Sequence, residues 1–303
     1  MAITAQMVKE LREATGAGMM DCKKALTEAD GDKDKAVDIL REKGLSKAAK
    51  KADRIAAEGL VNIEIGPDNA LASIVEVNSE TDFVAKNEDF KKFVNDVAVM
   101  ARENDVHNVP ELLALQHDEG KSLQDVLNDR IATIGEKLDV RRFERLVTEN
   151  GVIAGYIHGG GKIGVLVELE TTSKDQKVID LGRDIAMQVA AMNPKYISEA
   201  DVDQEYLAHE KEVLTQQALN EGKPANIVEK MVVGRLKKEL KEVCLLDQVF
   251  VKDSELTISK LIANVSKEVN QDIAVKKMVR YEVGEGIEKK EENFAEEVAK
   301  QMK

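Results

Sequence analysis

The chain has 303 residues and a formal net charge of −13. That charge excludes attachment to nucleic acid or an anionic membrane by a basic surface, which neutralising phosphates requires. Apolar residues are 43 % of the total, enough for a real core, but aromatics are only 3 % and Trp is absent.

The core must therefore come from Ala, Val, Ile, Leu and the ten Met. The N-terminus shows no secretory pattern, and no apolar run of about 18 residues occurs, so the chain is expected to be soluble and cytoplasmic. Cys22 and Cys244 are far apart and form no metal-spaced pair, and His107, His117, His158 and His209 are scattered. Free thiols and no metal are the expectation.

Residues 1–45 read as a compact helical module. Thr4 caps a helix carrying Val8 and Leu11, which Gly16-Ala17-Gly18 ends. A second helix carries Met19, Cys22, Ala25, Leu26 and Ala29 and stops at Gly31-Asp32. A third carries Ala36, Val37, Ile39 and Leu40 and is closed by Gly44. Three short helices bury little surface, so the module is marginal alone. Most of its apolar residues belong to its own core. Met19 and Met20 cannot both face that core, so the turn from Gly16 to Met20 is the expected contact surface. The basic run Lys47-Ala48-Ala49-Lys50-Lys51 reads as part of a linker over 46–55.

An α+β core follows, from about 56 to 283, and it is duplicated. With a shift of 92, Gly59-Leu60-Val61 falls on Gly151-Val152-Ile153, and Leu71, Ile74, Val75, Glu76 and Val77 fall on Ile163, Leu166, Val167, Glu168 and Leu169. With a shift of 88, Asp96-Val97-Ala98 falls on Asp184-Ile185-Ala186. With a shift of 135, Ser122-Leu123 falls on Thr257-Ile258, a hydroxyl cap both times, and Arg141-Arg142 falls on Lys276-Lys277. Each half thus reads strand, strand, helix, further helix, strand: a small antiparallel sheet with helices. The halves span 56–148, and 149–193 with 244–283.

The growth of the shift marks an insertion in the second half, over 194–243. Two helices flank Gly222-Lys223-Pro224, the first with Tyr206, Val213 and Leu214, the second with Ile227, Met231, Leu236 and Leu240. This is a helical hairpin of coiled-coil type. Packing on itself is the ordinary outcome; a homodimer or a partner contact is the alternative. Residues 284–303 hold a charged amphipathic helix with Phe294, Val298 and Met302 on one face.

His158-Gly159-Gly160-Gly161-Lys162 lacks the Ser or Thr that a phosphate-binding loop places after its Lys. It opens a strand, and it aligns with Gly66-Pro67-Asp68-Asn69-Ala70, a plain hairpin turn. Neither a Gly-x-Ser-x-Gly elbow nor a His-Glu-x-x-His helix is present. The chain reads as an interaction protein without catalytic residues or cofactor.

Thr81-Asp82-Phe83-Val84-Ala85-Lys86-Asn87 joins a strand, Leu71 to Asn78, to a helix carrying Phe90, Phe93, Val94, Val97 and Ala98, with Asn87 as N-cap. Asp82 and Phe83 form either a locally packed turn or a probe offered to a partner. The packed turn is the ordinary outcome, since most aromatic rings are buried.

That stretch, the opening Leu11-Arg12-Glu13-Ala14-Thr15-Gly16-Ala17-Gly18-Met19-Met20-Asp21-Cys22-Lys23-Lys24-Ala25-Leu26, and Arg280-Tyr281-Glu282-Val283-Gly284-Glu285-Gly286-Ile287-Glu288 resemble the bacterial translation elongation factor Ts family over the whole chain. The resemblance implies a guanine-nucleotide exchange factor for elongation factor Tu. It implies that residues 1–45 form a module of ubiquitin-associated type, docking through Leu11, Arg12, Thr15, Gly16, Ala17, Gly18, Met19 and Met20. Thr81, Asp82, Phe83 and Val84 would be the loop that disturbs the partner's magnesium and phosphate site. His158 and Gly159 would touch a distal domain, and the C-terminal helix would reach the GTPase domain again.

Overall fold

The computed structural model describes residues 3–15, 17–222 and 224–288. The expected C-terminal helix with Phe294, Val298 and Met302 lies outside the described residues. The chain divides into two compact units. One holds Met1–Asn62, Val75–Phe143 and, at the far end of the described chain, residues 282–288; the other holds Ile63–Ile74 and Glu144–Tyr281.

The first unit starts with α1 (Ala5–Thr15), α2 (Met19–Glu28) and α3 (Lys33–Ala49). Thr4 Oγ1 accepts from Met7 N at 3.2 Å, as expected of the cap. Val8, Leu11, Cys22, Ala25, Leu26, Ala29 and Ala36 pack together as the small core. Asp32, read as a stop, is the N-cap of α3 and accepts from Asp34 N and Lys35 N.

The strands β1 (Glu58–Ile65) and β2 (Leu71–Ser79) follow, then α4 (Asp82–Ala85), α5 (Glu88–Glu103), α6 (Val109–Ala114), α7 (Leu123–Ile134) and β3 (Leu138–Val147). The sheet order is β1-β2-β3. A turn over 66–70 joins the neighbours β1 and β2, so they run antiparallel. Phe90, Phe93, Val94, Val97 and Ala98 are buried with Val75, Val77, Leu123, Val126, Leu138 and Val140 in one core. The helical spacing of the first five puts them on a single face.

One boundary is corrected. Gly44 does not close the third helix; α3 runs through it to Ala49, so the linker expected over 46–55 begins as helix. The reason is tertiary. Gly44 is buried where α3 packs on α7, and a Cβ there would stand at ordinary contact distance, 3.6 Å, from Ala132 Cβ. Arg41 Nη2 also meets Asp125 Oδ2 at 2.6 Å across these helices.

The Arg41 guanidinium, and secondarily the Ser122 hydroxyl, hold the Asp125 carboxyl below its ordinary 3.8. The folded chain therefore keeps it ionised where the unfolded chain has already bound a proton. This docking contribution is present above about pH 4 and is lost as pH falls through the lowered folded value. Arg41 is half exposed, so the pair contributes only about 0.5 kcal/mol. Arg41→Ala is expected to lower urea stability by that much at pH 7, with the gap closing as pH falls below the ordinary carboxylate range.

The second unit holds β4 (Gly151–His158), β5 (Ile163–Glu170), α8 (Gln176–Met192), α9 (Gln204–Asn220), α10 (Ala225–Val243), β6 (Val249–Phe250), β7 (Asp253–Thr257), α11 (Ile258–Val269) and β8 (Ala274–Glu282). β4 and β5 pair antiparallel from Gly151↔Glu170 to His158↔Ile163, and the sheet order is β4-β5-β8. Val152, Val165, Val167 and Leu169 pack with Leu181, Ile185 and Val189 of α8 and Ile258 and Ile262 of α11.

Duplication is visible in the element bounds. Shifting α7 by 135 lands on α11, and shifting the start of α5 by 88 lands on the start of α8. The caps repeat too: Ser122 Oγ accepts from Asp125 N, and Thr257 Oγ1 accepts from Lys260 N. Gly59 and Gly151 coincide because each lies against the next strand. A Cβ at Gly59 would sit 2.2 Å from Val77 O, and one at Gly151 would sit 2.4 Å from Leu169 O.

Inside the insertion, α9 and α10 pack on each other. Ala218, Val228 and Val232 are buried with Leu214 beside them, and Tyr206 OH donates to Glu239 Oε1 at 2.9 Å. Ile227, expected on this face, is 45 % exposed. Val228 and Val232 stand four apart on the face that meets α9, and Ile227 lies about 100° around the helix from Val228.

Candidate functional site

The strand β2 delivers the chain to Thr81, and the one-turn helix α4 follows at once. Val84 and Ala85 are buried in the core of the first unit. In a helix this leaves the neighbouring positions facing out, and Phe83 is 79 % exposed. The expectation that the aromatic ring is buried is thereby overturned. The turn is packed, but by Val84 and Ala85, not by the ring. Val84, expected among the contact residues, faces inward.

Both ends of α4 are tied. Glu136 accepts from Thr81 N at 3.0 Å and from Thr81 Oγ1 at 2.7 Å. Ser79 Oγ donates to Thr81 O at 2.9 Å. At the other end Asn87 accepts from Asp89 N and Phe90 N, which caps α5 as the sequence led one to expect. Lys86 Nζ lies 2.7 Å from Asp82 Oδ2 and 5.7 Å from the centre of the Phe83 ring. An acid, an aromatic ring and a cation thus share one solvent-facing turn.

Sequence reasoning assigned no role to Lys86, Glu80 or Glu136. The Asp82–Lys86 spacing of four on a helix could have pointed to the first. Nothing local points to Glu136, which is 55 residues from Thr81.

On the N-terminal helices, Met19 and Met20 are 59 % and 62 % exposed. Arg12 and Gly18 are exposed, and Thr15 and Ala17 are half-buried. Gly16 lies outside the described residues. Met19, counted with the apolar face of its helix, does not join the core. Leu11, counted among the contacts, is fully buried and offers a partner no surface. Thr15 Oγ1 donates to Leu11 O at 2.7 Å and accepts from Ala17 N at 3.3 Å, which fixes the end of α1.

In the second unit His158 and Gly159 are exposed at the tip between β4 and β5. Gly159, Gly160 and Gly161 take φ of 60°, 64° and 98°, so the glycines serve turn geometry as expected. Tyr156 OH and His158 Nδ1 lie 3.1 Å apart.

Cys22 and Cys244 are buried free thiols. Burial raises the Cys22 thiol, and burial, with Asp247 next, pushes the Cys244 thiol up to about 11. At neutral pH both stay protonated and unreactive. Among the described residues no three His, Cys, Asp or Glu side chains converge as a metal site, and no helix is long and apolar enough to cross a membrane.

Fold and site together define a class: a duplicated α+β protein that holds an acid–aromatic pair out to solvent from a tied, one-turn helix. The family model described as Elongation factor TS matches residues 80–285. An Elongation factor Ts of Clostridioides difficile (strain 630) is 71 % identical over 301 residues, covering 99 % of each chain. Those of Clostridium perfringens (strain SM101 / Type A) and Clostridium novyi (strain NT) are 59 % and 58 % identical, covering 98 % and 99 % of each chain. The chain belongs to the elongation factor Ts family.

Proposed function

We propose that this chain binds elongation factor Tu carrying GDP, disturbs its magnesium and phosphate site, and promotes GDP release during translation elongation in the cytoplasm. The observation that carries the reading is the Phe83 ring, 79 % exposed on a turn fixed at both ends. A ring held out in this way is ready to enter a partner's pocket without first being freed from its own core. Asp82 travels beside it and competes for the phosphate and metal environment.

Residues 1–45 act as a module of ubiquitin-associated type, docking through Arg12, Thr15, Gly16, Ala17, Gly18, Met19 and Met20, with Leu11 supporting them from inside. His158 and Gly159 reach a distal domain of Tu. Residues 194–243 form a coiled-coil hairpin that packs on itself, and 284–303 supply a further contact. The two halves of the core, 56–148 and 149–193 with 244–283, are the scaffold. No covalent chemistry and no cofactor of this chain's own is involved.

The energetics are those of linkage. A factor that weakens GDP binding to Tu must itself bind nucleotide-free Tu more tightly than GDP-bound Tu, by the same factor. Calorimetric titration into both forms tests this. Much tighter binding to nucleotide-free Tu is expected; equal affinities would remove the exchange role. The rival reading, a homodimer through the hairpin, would use Leu219, Ile227 and Val233, all about half exposed. Sedimentation of the chain alone separates the two.

A further inference from the structure

We infer that Glu136 is the positioning residue for Phe83, acting on the ring through Thr81. The inference rests on the exchange reading for its consequence, and on geometry for its substance.

Gly135 ends α7 in a left-handed C-cap, with φ 86° and ψ 9°. That sharp turn places the next residue, Glu136, beside the end of β2. Its two carboxylate oxygens take the two donors of Thr81, Oε2 from the backbone N–H and Oε1 from the hydroxyl. Thr81 is the N-cap of α4, yet its hydroxyl makes no capping bond within the helix. The hydroxyl is committed to Glu136 instead.

The neighbouring pair reciprocates. Glu80 Oε1 accepts from Lys137 N at 2.6 Å, and Arg54 Nη1 lies 3.3 Å from the same carboxylate. Residues 80–81 and 136–137 therefore exchange carboxylate-to-backbone bonds in both directions. A four-residue helix has almost no stability of its own, because nucleation is unfavourable. Val84 and Ala85 fix its depth against the core; the Thr81–Glu136 pair fixes where it begins, and so where residue 83 points.

Glu136→Ala and Glu136→Gln, each alone and combined with Phe83→Ala, test this on the full chain. Three readouts are taken: the limiting rate of GDP release from Tu at saturating chain, amide hydrogen exchange at Thr81 and Lys86, and the melting curve. Glu136→Ala removes both hydrogen bonds to Thr81 and is expected to lower the limiting rate by about tenfold or more, since even one charge-assisted hydrogen bond is on that scale. Glu136→Gln keeps one acceptor oxygen and should fall between. Exchange at Thr81 and Lys86 should accelerate. In the Phe83→Ala background Glu136→Ala should change the rate by less than about twofold, because its effect runs through the missing ring.

A full loss that persists in the Phe83→Ala background would overturn the positioning role and make Glu136 a structural residue. Unchanged rates or unchanged protection in Glu136→Ala would overturn it as well. Wild-type release by Phe83→Ala itself would sink the exchange reading rather than the clamp. The protection of Thr81 and Lys86 then decides the clamp alone, acceleration sustaining it and no change overturning it.

Discussion

Phe83→Ala is expected to weaken binding to nucleotide-free Tu about thirtyfold, with a melting curve that overlays that of the wild type. Truncating a ring that fills a partner pocket typically costs about 2 kcal/mol or more, which is a factor of about thirty in affinity. The unchanged melt follows from exposure. At 79 % exposed the ring supports little of its own fold, and such substitutions stay within about 0.5 kcal/mol. Phe83→Leu retains apolar bulk and should fall between the two. Calorimetry with nucleotide-free Tu measures the affinities, and scanning calorimetry of the free chain checks the fold. Loss of affinity together with loss of stability would mean that the ring is a core residue after all.

Glu76→Ala is expected to give the largest loss of stability, about 3 kcal/mol, at the lower end for breaking a buried ion pair because both arginines keep partial access to water. Glu76 is fully buried on β2. Its carboxylate meets Arg141 Nη1 at 3.0 Å and Arg142 Nε at 2.6 Å, and it accepts from Gly284 N at 2.8 Å and Asn78 Nδ2 at 3.1 Å. Burial opposes the charge on Arg142, but the Glu76 and Glu285 carboxylates outweigh it and raise its pKa. Deleting the carboxylate removes the buried counter-charge from both guanidinium groups and the acceptor of Gly284 N. The repeat supplies an internal control. Glu168 occupies the matching place and is paired with Lys276, which is 56 % exposed. Glu168→Ala should cost less, since Lys276 can return to water. Urea unfolding of both variants measures the difference; equal losses would contradict the argument.

The duplication was legible because β2 and β5 are each buried almost end to end and so carry matching apolar runs, and because the same close strand approach demands glycine at Gly59 and at Gly151. Helix starts were legible from Thr4, Asn87, Ser122 and Thr257, since a hydroxyl or amide cap acts within its own turn. The end of α3 was not, because what carries the helix past Gly44 is its packing on α7, including Arg41 on Asp125, between segments far apart in sequence. The inward face of α10 was legible only in part: Met231, Leu236 and Leu240 are half-buried, but Ile227 is exposed and packing against α9 selects Val228 and Val232 instead. At the candidate site the Asp82-Phe83 pair could be found, but its exposure could not. A ring beside Val84 and Ala85 looks equally apt for the core until the direction of α4 is known. That direction is set with Glu136, whose approach to Thr81 has no local signature.

The most direct test of the central claim is stopped-flow release of a fluorescent GDP from Tu, run with wild type and with Phe83→Ala over a range of concentrations. The wild-type chain should accelerate release in proportion to its concentration until saturation, and Phe83→Ala should retain only a few per cent of that limiting rate. Equal limiting rates from the two proteins would contradict the claim that the exposed ring opens the partner's nucleotide site.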